Sequence, residues 1–290
     1  MPIAYSLFRG VIMQGKLNMI KNLAWALAIA VVLLALLLAL LFTAFTRYGG
    51  ELERPVVVLG ADATNGSQAV EQVAKAVQTE TGTLFTLSET PDAGTAYIDS
   101  LTFLCDSATI GLRDYGILKD GYKTTQVWGG ISGSLPVDQL IVGPIRYPVD
   151  GSSLTPGQAA MVAKPSILVI SVGQDGLMNV DKDSFLQYYE GLITSIRNTS
   201  PGTIIICCSI TSLGPNYAGV DRLTNDAIAW ANDWVQQACV DTGAYYCDVA
   251  HDMRDNTNVL NVNYAAANLK TLNSEGLSAF LMYLRTHAVQ

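Results

Sequence analysis

Asp106 and Ser107 close an apolar run of strand length at residues 101–105 and open a stretch with helical spacing through Leu112 and Tyr115. A serine raised on a strand-to-helix turn stands where a hydroxyl nucleophile would be wanted, exposed and ready to attack an acyl carbonyl once a base takes its proton. The same two residue types cap helices at ordinary turns, so the pair alone favours the cap. The chain has two histidines. His251, in CDVAHDMRD after the last strand-like stretch, is the one placed to serve as a base, with a surface or locally bonded histidine as the competing reading. His287 sits at the far end of the last helical stretch. Lys270 would serve a serine only if burial lowered its pKa. Trp128, beside Gly129-Gly130, either borders a crevice, where its face would stack on a sugar ring, or packs in the core. Asp248, His251, Asp252 and Asp255 crowd one segment, but with no second histidine nearby they do not form a transition-metal cage. No metal and no cofactor is expected.

The elements that must position these groups alternate. Strands are expected at 101–105, 122–127, 167–171, 203–209 and 244–248, with helices between most of them. Runs such as ILVIS and TIIICCS lack polar alternation, as parallel strands covered on both faces do. The pattern predicts an α/β fold, a doubly wound parallel sheet with helices on both faces. Ligands bind such sheets beyond the carboxyl ends of the strands, where Ser107, Gly129-Gly130, the 173–176 loop and the 209–219 loop should meet. Thr155-Pro156-Gly157-Gln158 has the form of a capping box with proline at the first helical position. Asp183 is expected to cap a helix with Leu186, Tyr189, Ile193 and Ile196 inward. A third helix is expected over 221–240 with Trp230 and Trp234 inward, and a last one over 275–286. The Pro-, Gly- and Ser-rich segment 145–155 reads as an exposed wall or lid. Cys239 and Cys247 would bridge a helix end to the next strand in an oxidising compartment, whereas Cys207 and Cys208 read as small buried hydrophobes.

Residues 23–45 carry no charge, and as a helix they would be about 35 Å long, enough to cross a ~30 Å hydrocarbon core. Arg9, Lys16 and Lys21 precede the run and only Arg47 follows closely, which predicts a single-pass anchor with a cytoplasmic N-terminus. The first fifty residues contain no acid, so residues 51–290 hold 13 basic against 25 acidic side chains, a formal charge of −12. Such a body repels nucleic acid. The expected organisation is a cytoplasmic segment at 1–22, the membrane helix at 23–45, a stalk or linker with a short β-α-β at 46–96, and one extracytoplasmic domain at 97–290.

Within that domain the chain resembles the SGNH/GDSL hydrolases, whose fold is a flavodoxin-like three-layer sandwich. FLCDSATIGL matches the first family block, with Cys105 in the glycine position. VWGGISGS matches the second, with Gly130 as the glycine whose amide would face an oxyanion. ILVISVGQDGL resembles the GxND block, and NLKTLNSEGLSAFLMYL the final DxxH block. The resemblance implies Ser107 as nucleophile, Asp106 as helper and cap, and acetyl or short acyl esters of carbohydrates as the substrate class. It also exposes two departures. Ungapped, the third block puts Asp175 at the family asparagine, although a shift by one residue would put Gln174 there. The last block puts Asn268 and Thr271 at the family aspartate and histidine. A neutral hydroxyl has no useful basicity near pH 7, and a carboxylate in an oxyanion hole repels the charge the hole exists to hold. Three readings stay open: a degenerate hydrolase that binds a cell-envelope glycan or acyl ligand, an active esterase or acyltransferase with a relocated base, and a structural or assembly role. The oligomeric state is not legible.

Overall fold

The computed structural model describes residues 85–289. The apolar run at 23–45 and most of the expected stalk lie outside these residues. Among the described residues no helix is long and apolar enough to cross a membrane.

Among the described residues seven strands form one sheet: β1 (Leu101–Cys105), β2 (Val127–Gly130), β3 (Ile145–Arg146), β4 (Ser153–Leu154), β5 (Ile167–Ser171), β6 (Ile204–Cys208) and β7 (Tyr245–Cys247). Their order is β4-β3-β2-β1-β5-β6-β7. Pairing is parallel from β2 through β7, while β3 and β4 run antiparallel at one edge. The sheet is therefore mixed, which corrects the all-parallel expectation. The cause is the segment 145–155, which is an edge hairpin and not a lid: Ile145 is buried on Gly130, and Tyr147 is buried behind it. Two-residue strands are too short to show a period in sequence. The strand expected at 122–127 begins instead at Val127, after a 3₁₀ turn at Gly121–Lys123.

The helices are α1 (Gly94–Ser100), α2 (Gly111–Asp114), α3 (Pro156–Ala163), α4 (Lys182–Thr199), α5 (Asn225–Thr242), α6 (Val249–Met253) and α7 (Ser274–Thr286). Successive strand residues point to opposite faces of the sheet. Leu104, Trp128, Leu168, Ile170, Ile205 and Cys207 pack with α3, α4 and α5 on one side. Phe103, Cys105, Val127, Val169, Ile206 and Cys208 pack with α1, α6 and α7 on the other. These are the three layers of the α/β sandwich.

Thr155 caps α3 with the expected capping box. Asp181, not Asp183, caps α4 by accepting the Ser184 N–H. Thr224 caps α5, so that helix starts later than 221 and turns Trp230 to solvent while Trp234 packs against Phe185. Cys239 and Cys247 lie in the cores on opposite faces of the sheet, and all five cysteines are free and buried. The bridge weighed from the sequence does not form.

Residues 86–93 belong to this body. Thr86 bridges to Tyr246, the Leu87 N–H donates to the Tyr246 carbonyl at 2.8 Å, and the Ala93 N–H donates to the Arg285 carbonyl at 2.9 Å. Asp92 pairs with the Arg285 guanidinium.

Candidate functional site

The carboxyl ends of the parallel strands bring four segments together. After β1 the chain turns through residues 107–110 before the single turn of α2, which runs so close to α7 that a Cβ on Gly111 would meet Leu277 at 2.8 Å. Asp106 is buried beneath this turn. Its Oδ1 accepts the Ala108 N–H at 3.0 Å, and its Oδ2 accepts the N–H groups of Gly173 at 3.0 Å, Gln174 at 2.9 Å and Asp175 at 3.4 Å. Asp106 thus ties the β5 loop to the serine turn. Burial and the nearby Asp175 charge push its pKa up to about 7, outweighing these donors.

Asp175 faces Ser107. Its Oδ1 accepts the Ser107 hydroxyl at 2.5 Å, and its Oδ2 accepts the Ser107 N–H at 3.0 Å, the Ser134 hydroxyl at 2.7 Å and the Leu135 N–H at 3.3 Å. The ammonium of Lys270 adds a contact at 3.4 Å. Burial alone would raise the Asp175 pKa, but the Ser107 and Ser134 bonds and the lysine charge hold it below the usual value. Lys270 Nζ also lies 2.9 Å from Asp221 Oδ2, and Asp221 Oδ1 accepts the Tyr217 hydroxyl at 2.7 Å. Burial would lower the Lys270 pKa, yet its two carboxylates raise it, so the lysine is an ammonium and cannot act as a base for Ser107.

Ser107, Asp106, Asp175 and Lys270 are therefore brought together. The Gln174 side chain does not bond Ser107: it is buried and donates its amide to the Thr211 and Lys270 carbonyls at 3.3 Å, which leaves Asp175 as the residue on Ser107. Gly130 ends β2, and a Cβ there would lie 1.8 Å from the Ser134 carbonyl oxygen. Its role is to let the loop fold back and present Ser134 and Leu135. Trp128 is buried and packs edge-on to Tyr147 at 6.4 Å between ring centres, so it is a core residue and borders no crevice. Thr271 and Asn268 bond one another, the Asn268 carboxamide oxygen accepting the Thr271 hydroxyl at 3.2 Å.

Neither histidine reaches Ser107. His251 is exposed on α6 and bonds its neighbour Asp252 at 2.8 Å. It follows β7, three strand positions from β1 in the sheet. His287 stacks on Tyr283 at the other end of α7. Among the described residues no group of three His, Cys, Asp or Glu side chains could hold a metal ion.

The sequence missed Ser134 and Leu135, which carry no motif beyond a small-residue loop, and Asp221, which it assigned to a helix. A cavity of about 150 Å³ opens beside Lys270 and Asp221, walled by Leu177 and Leu223.

A strand–Asp-Ser–turn block, a returning glycine loop and a β5 loop on the same serine together have one sequence counterpart. The profile of the GDSL-like lipase/acylhydrolase family matches residues 99–268. The chain belongs to that family. The matched stretch of this GDSL-family chain holds Ser107 and Asp175 and ends just short of Lys270 and Thr271. Among solved structures it is similar to a Streptococcus pneumonia protein provisionally described as a platelet activating factor, at 15% identity, covering 76% of this chain and 97% of that one with a TM-score of 0.43. It is also similar to the OSK domain of Drosophila Oskar, at 15% identity over 72% and 96% with a TM-score of 0.43. The acetylxylan esterase Axe2 of Geobacillus stearothermophilus is similar at 14% identity over 66% and 94%, with a TM-score of 0.42. No curated protein matches the chain.

Proposed function

We propose that this GDSL-family chain is a membrane-tethered, extracytoplasmic domain that does not hydrolyse esters by the family's serine mechanism and instead binds a glycan or acyl component of the cell envelope. One observation carries the first half: the Asp175 carboxylate lies across the Ser107 and Leu135 N–H groups, where the oxygen of an acyl intermediate would need donors. A second negative oxygen cannot enter beside it. The nucleophile is equally disabled. Its hydroxyl proton points to a carboxylate of lowered pKa, and neither of the chain's two imidazoles is within reach to take it. Loss of the base alone costs on the order of 10⁶ in turnover in a well-studied serine hydrolase.

The second half rests on sequence. The uncharged run at 23–45, with its basic flank on one side, supports a tether, and the acidic body supports a partner that is not nucleic acid. The crevice at the carboxyl edge, with its cavity beside the Lys270–Asp221 pair, is the place for a ligand.

The test treats the full chain, in detergent, with a serine-reactive fluorophosphonate and an aryl acetate, beside Ser107→Ala. The expected result is no Ser107-dependent labelling or turnover, with an unfolding midpoint that rises on addition of cell-wall glycans. Labelling and turnover that vanish in Ser107→Ala would restore the active-esterase reading. Inert protein with no glycan shift would leave a structural role.

A further inference from the structure

The carboxylate across the hole is held from outside the hole as well as from within. Lys270 Nζ reaches both Asp175, at 3.4 Å, and Asp221, at 2.9 Å, and its side chain is only 18% exposed. Asp221 in turn is fixed by the Tyr217 hydroxyl at 2.7 Å and the Leu223 N–H at 3.3 Å. A continuous line of polar contacts thus runs from Ser107 through Asp175, Lys270 and Asp221 to Tyr217. It starts at the β1 turn and ends in the loop between β6 and α5. That loop is the surface end of the line: Asn216 and Arg222 have left-handed backbones, and Val220 is fully exposed.

We infer that Lys270 is the positioning residue that keeps Asp175 seated across the Ser107 and Leu135 N–H groups, and that Asp221, braced by Tyr217, holds Lys270 in place. This rests on the reading that Asp175 fills the hole. The need for such a residue comes from Asp106. Two buried carboxylates meet at the β5 loop, the inner one accepting the other's backbone N–H, and two buried carboxylates do not both stay ionised without a counter-charge. The titratable groups around Asp175 are Asp106 from the β1 turn and Lys270 from the segment before α7, with Asp221 and Tyr217 behind the lysine. The remaining contacts are hydroxyls and amides. Lys270 is the one cation among them, so the state of the hole is set from the β6–α5 loop through a single ammonium.

The experiment follows the Asp175 carboxyl carbon by NMR in the full chain labelled with ¹³C-aspartate, its resonance assigned with Asp175→Asn. In the wild type Asp175 should titrate below the ordinary aspartate value. Lys270→Met should move that midpoint up by about one pH unit or more, the size expected on losing an adjacent opposite charge. Lys270→Arg should keep it low. Asp221→Asn, with Lys270 still present, should move it in the same direction by less. A lysine that only braced the loops would lower the unfolding midpoint and leave the Asp175 titration where it was. An Asp175 midpoint unchanged in both Lys270→Met and Asp221→Asn overturns the inference. Should Lys270→Met fail to fold, Asp221→Asn decides alone, since its side chain is partly exposed at the rim. The silent-serine reading fails separately, through fluorophosphonate labelling of the wild type, whatever Asp175 does.

Discussion

The Ser107 hydroxyl donates to Asp175 Oδ1 at 2.5 Å while the Ser107 N–H donates to Asp175 Oδ2 at 3.0 Å, so one carboxylate occupies both groups through which this serine would act. Family resemblance leaves either Gln174 or Asp175 at the asparagine position. In the fold Asp175 is the one of the two whose side chain bonds Ser107, while the Gln174 amide is spent on two backbone carbonyls.

On the proposed silent-serine reading the site holds two separate lesions, and they should be repairable only together. Asp175→Asn turns an oxyanion-repelling group into a donor but supplies no base. Thr271→His supplies an imidazole but leaves the hole filled. Each single variant should stay at background on an aryl acetate, and the double variant should rise at least about 10²-fold above it, the usual worth of a positioned general base. Steady-state hydrolysis with Ser107→Ala added as a third change checks this. A double variant no better than either single would mean that Thr271 is not where the base belongs.

Acid should first stabilise the fold and then unfold it. Burial and Asp175 raise the Asp106 pKa to about 7, above its unfolded value near 3.8. Its stabilising contribution is therefore complete below about pH 4 and is lost as pH climbs through 7, on the order of 4 kcal/mol in all. Asp175 has the opposite sign: burial is outweighed by its hydrogen bonds and Lys270, its pKa is lowered, and its contribution is present above pH 4 and lost on acidification below that. Urea midpoints should rise from pH 8 to pH 5 and fall below pH 4. In Asp106→Asn the rise between pH 8 and pH 5 should be absent.

Replacing the exposed histidine should do nothing. The exposed His251 side chain has Asp252 as its polar partner among the described residues and follows β7, three strand positions from β1, and surface changes of this kind usually stay within about 0.5 kcal/mol. His251→Ala should leave the unfolding midpoint and any Ser107 labelling unchanged. A loss of labelling in this variant would place the imidazole at the site by a motion of α6.

How far these features were legible in sequence depended on whether they left a period or a motif. β1 and β5 were legible to the residue because LTFLC and ILVIS are buried on both faces and end in polar turns. β3 and β4 were not, since two residues cannot display alternation. Ser107 and Asp106 were legible through ordered blocks, and Asp175 only as one of two candidates with Gln174. Ser134, Leu135 and Asp221 were not, because what they contribute is a loop hydroxyl, a backbone N–H and a carboxylate whose meaning comes only from the residue they meet. Trp128 misled for the opposite reason: its neighbours Gly129-Gly130 suggested a crevice, but it is central in the sheet and therefore covered. Trp128→Ala should cost about 3–5 kcal/mol by chemical denaturation, as large buried aromatics do, without changing ligand affinity per folded molecule.

The segment before α1 offers a test of where the domain begins. Sequence placed these residues in the stalk or linker at 46–96. In the fold they run along the last helix: the N–H groups of Leu87, Thr90 and Ala93 donate to the carbonyls of Tyr246, Thr286 and Arg285, and the Thr90 hydroxyl accepts the Ala288 N–H. Thr86 and Leu87 also lie along β7, an edge strand that would otherwise present unpaired backbone groups. Each backbone bond contributes about 1 kcal/mol net. A chain starting at residue 97 should therefore be less stable than one starting at residue 85 by about 2–3 kcal/mol, lowering the unfolding midpoint by roughly 5–10 °C for a domain of this size. It should also self-associate through the bared edge of β7, visible as a concentration-dependent rise in sedimentation coefficient. Equal midpoints for the two chains would show that residues 85–96 contribute nothing to this body and act as a tether alone.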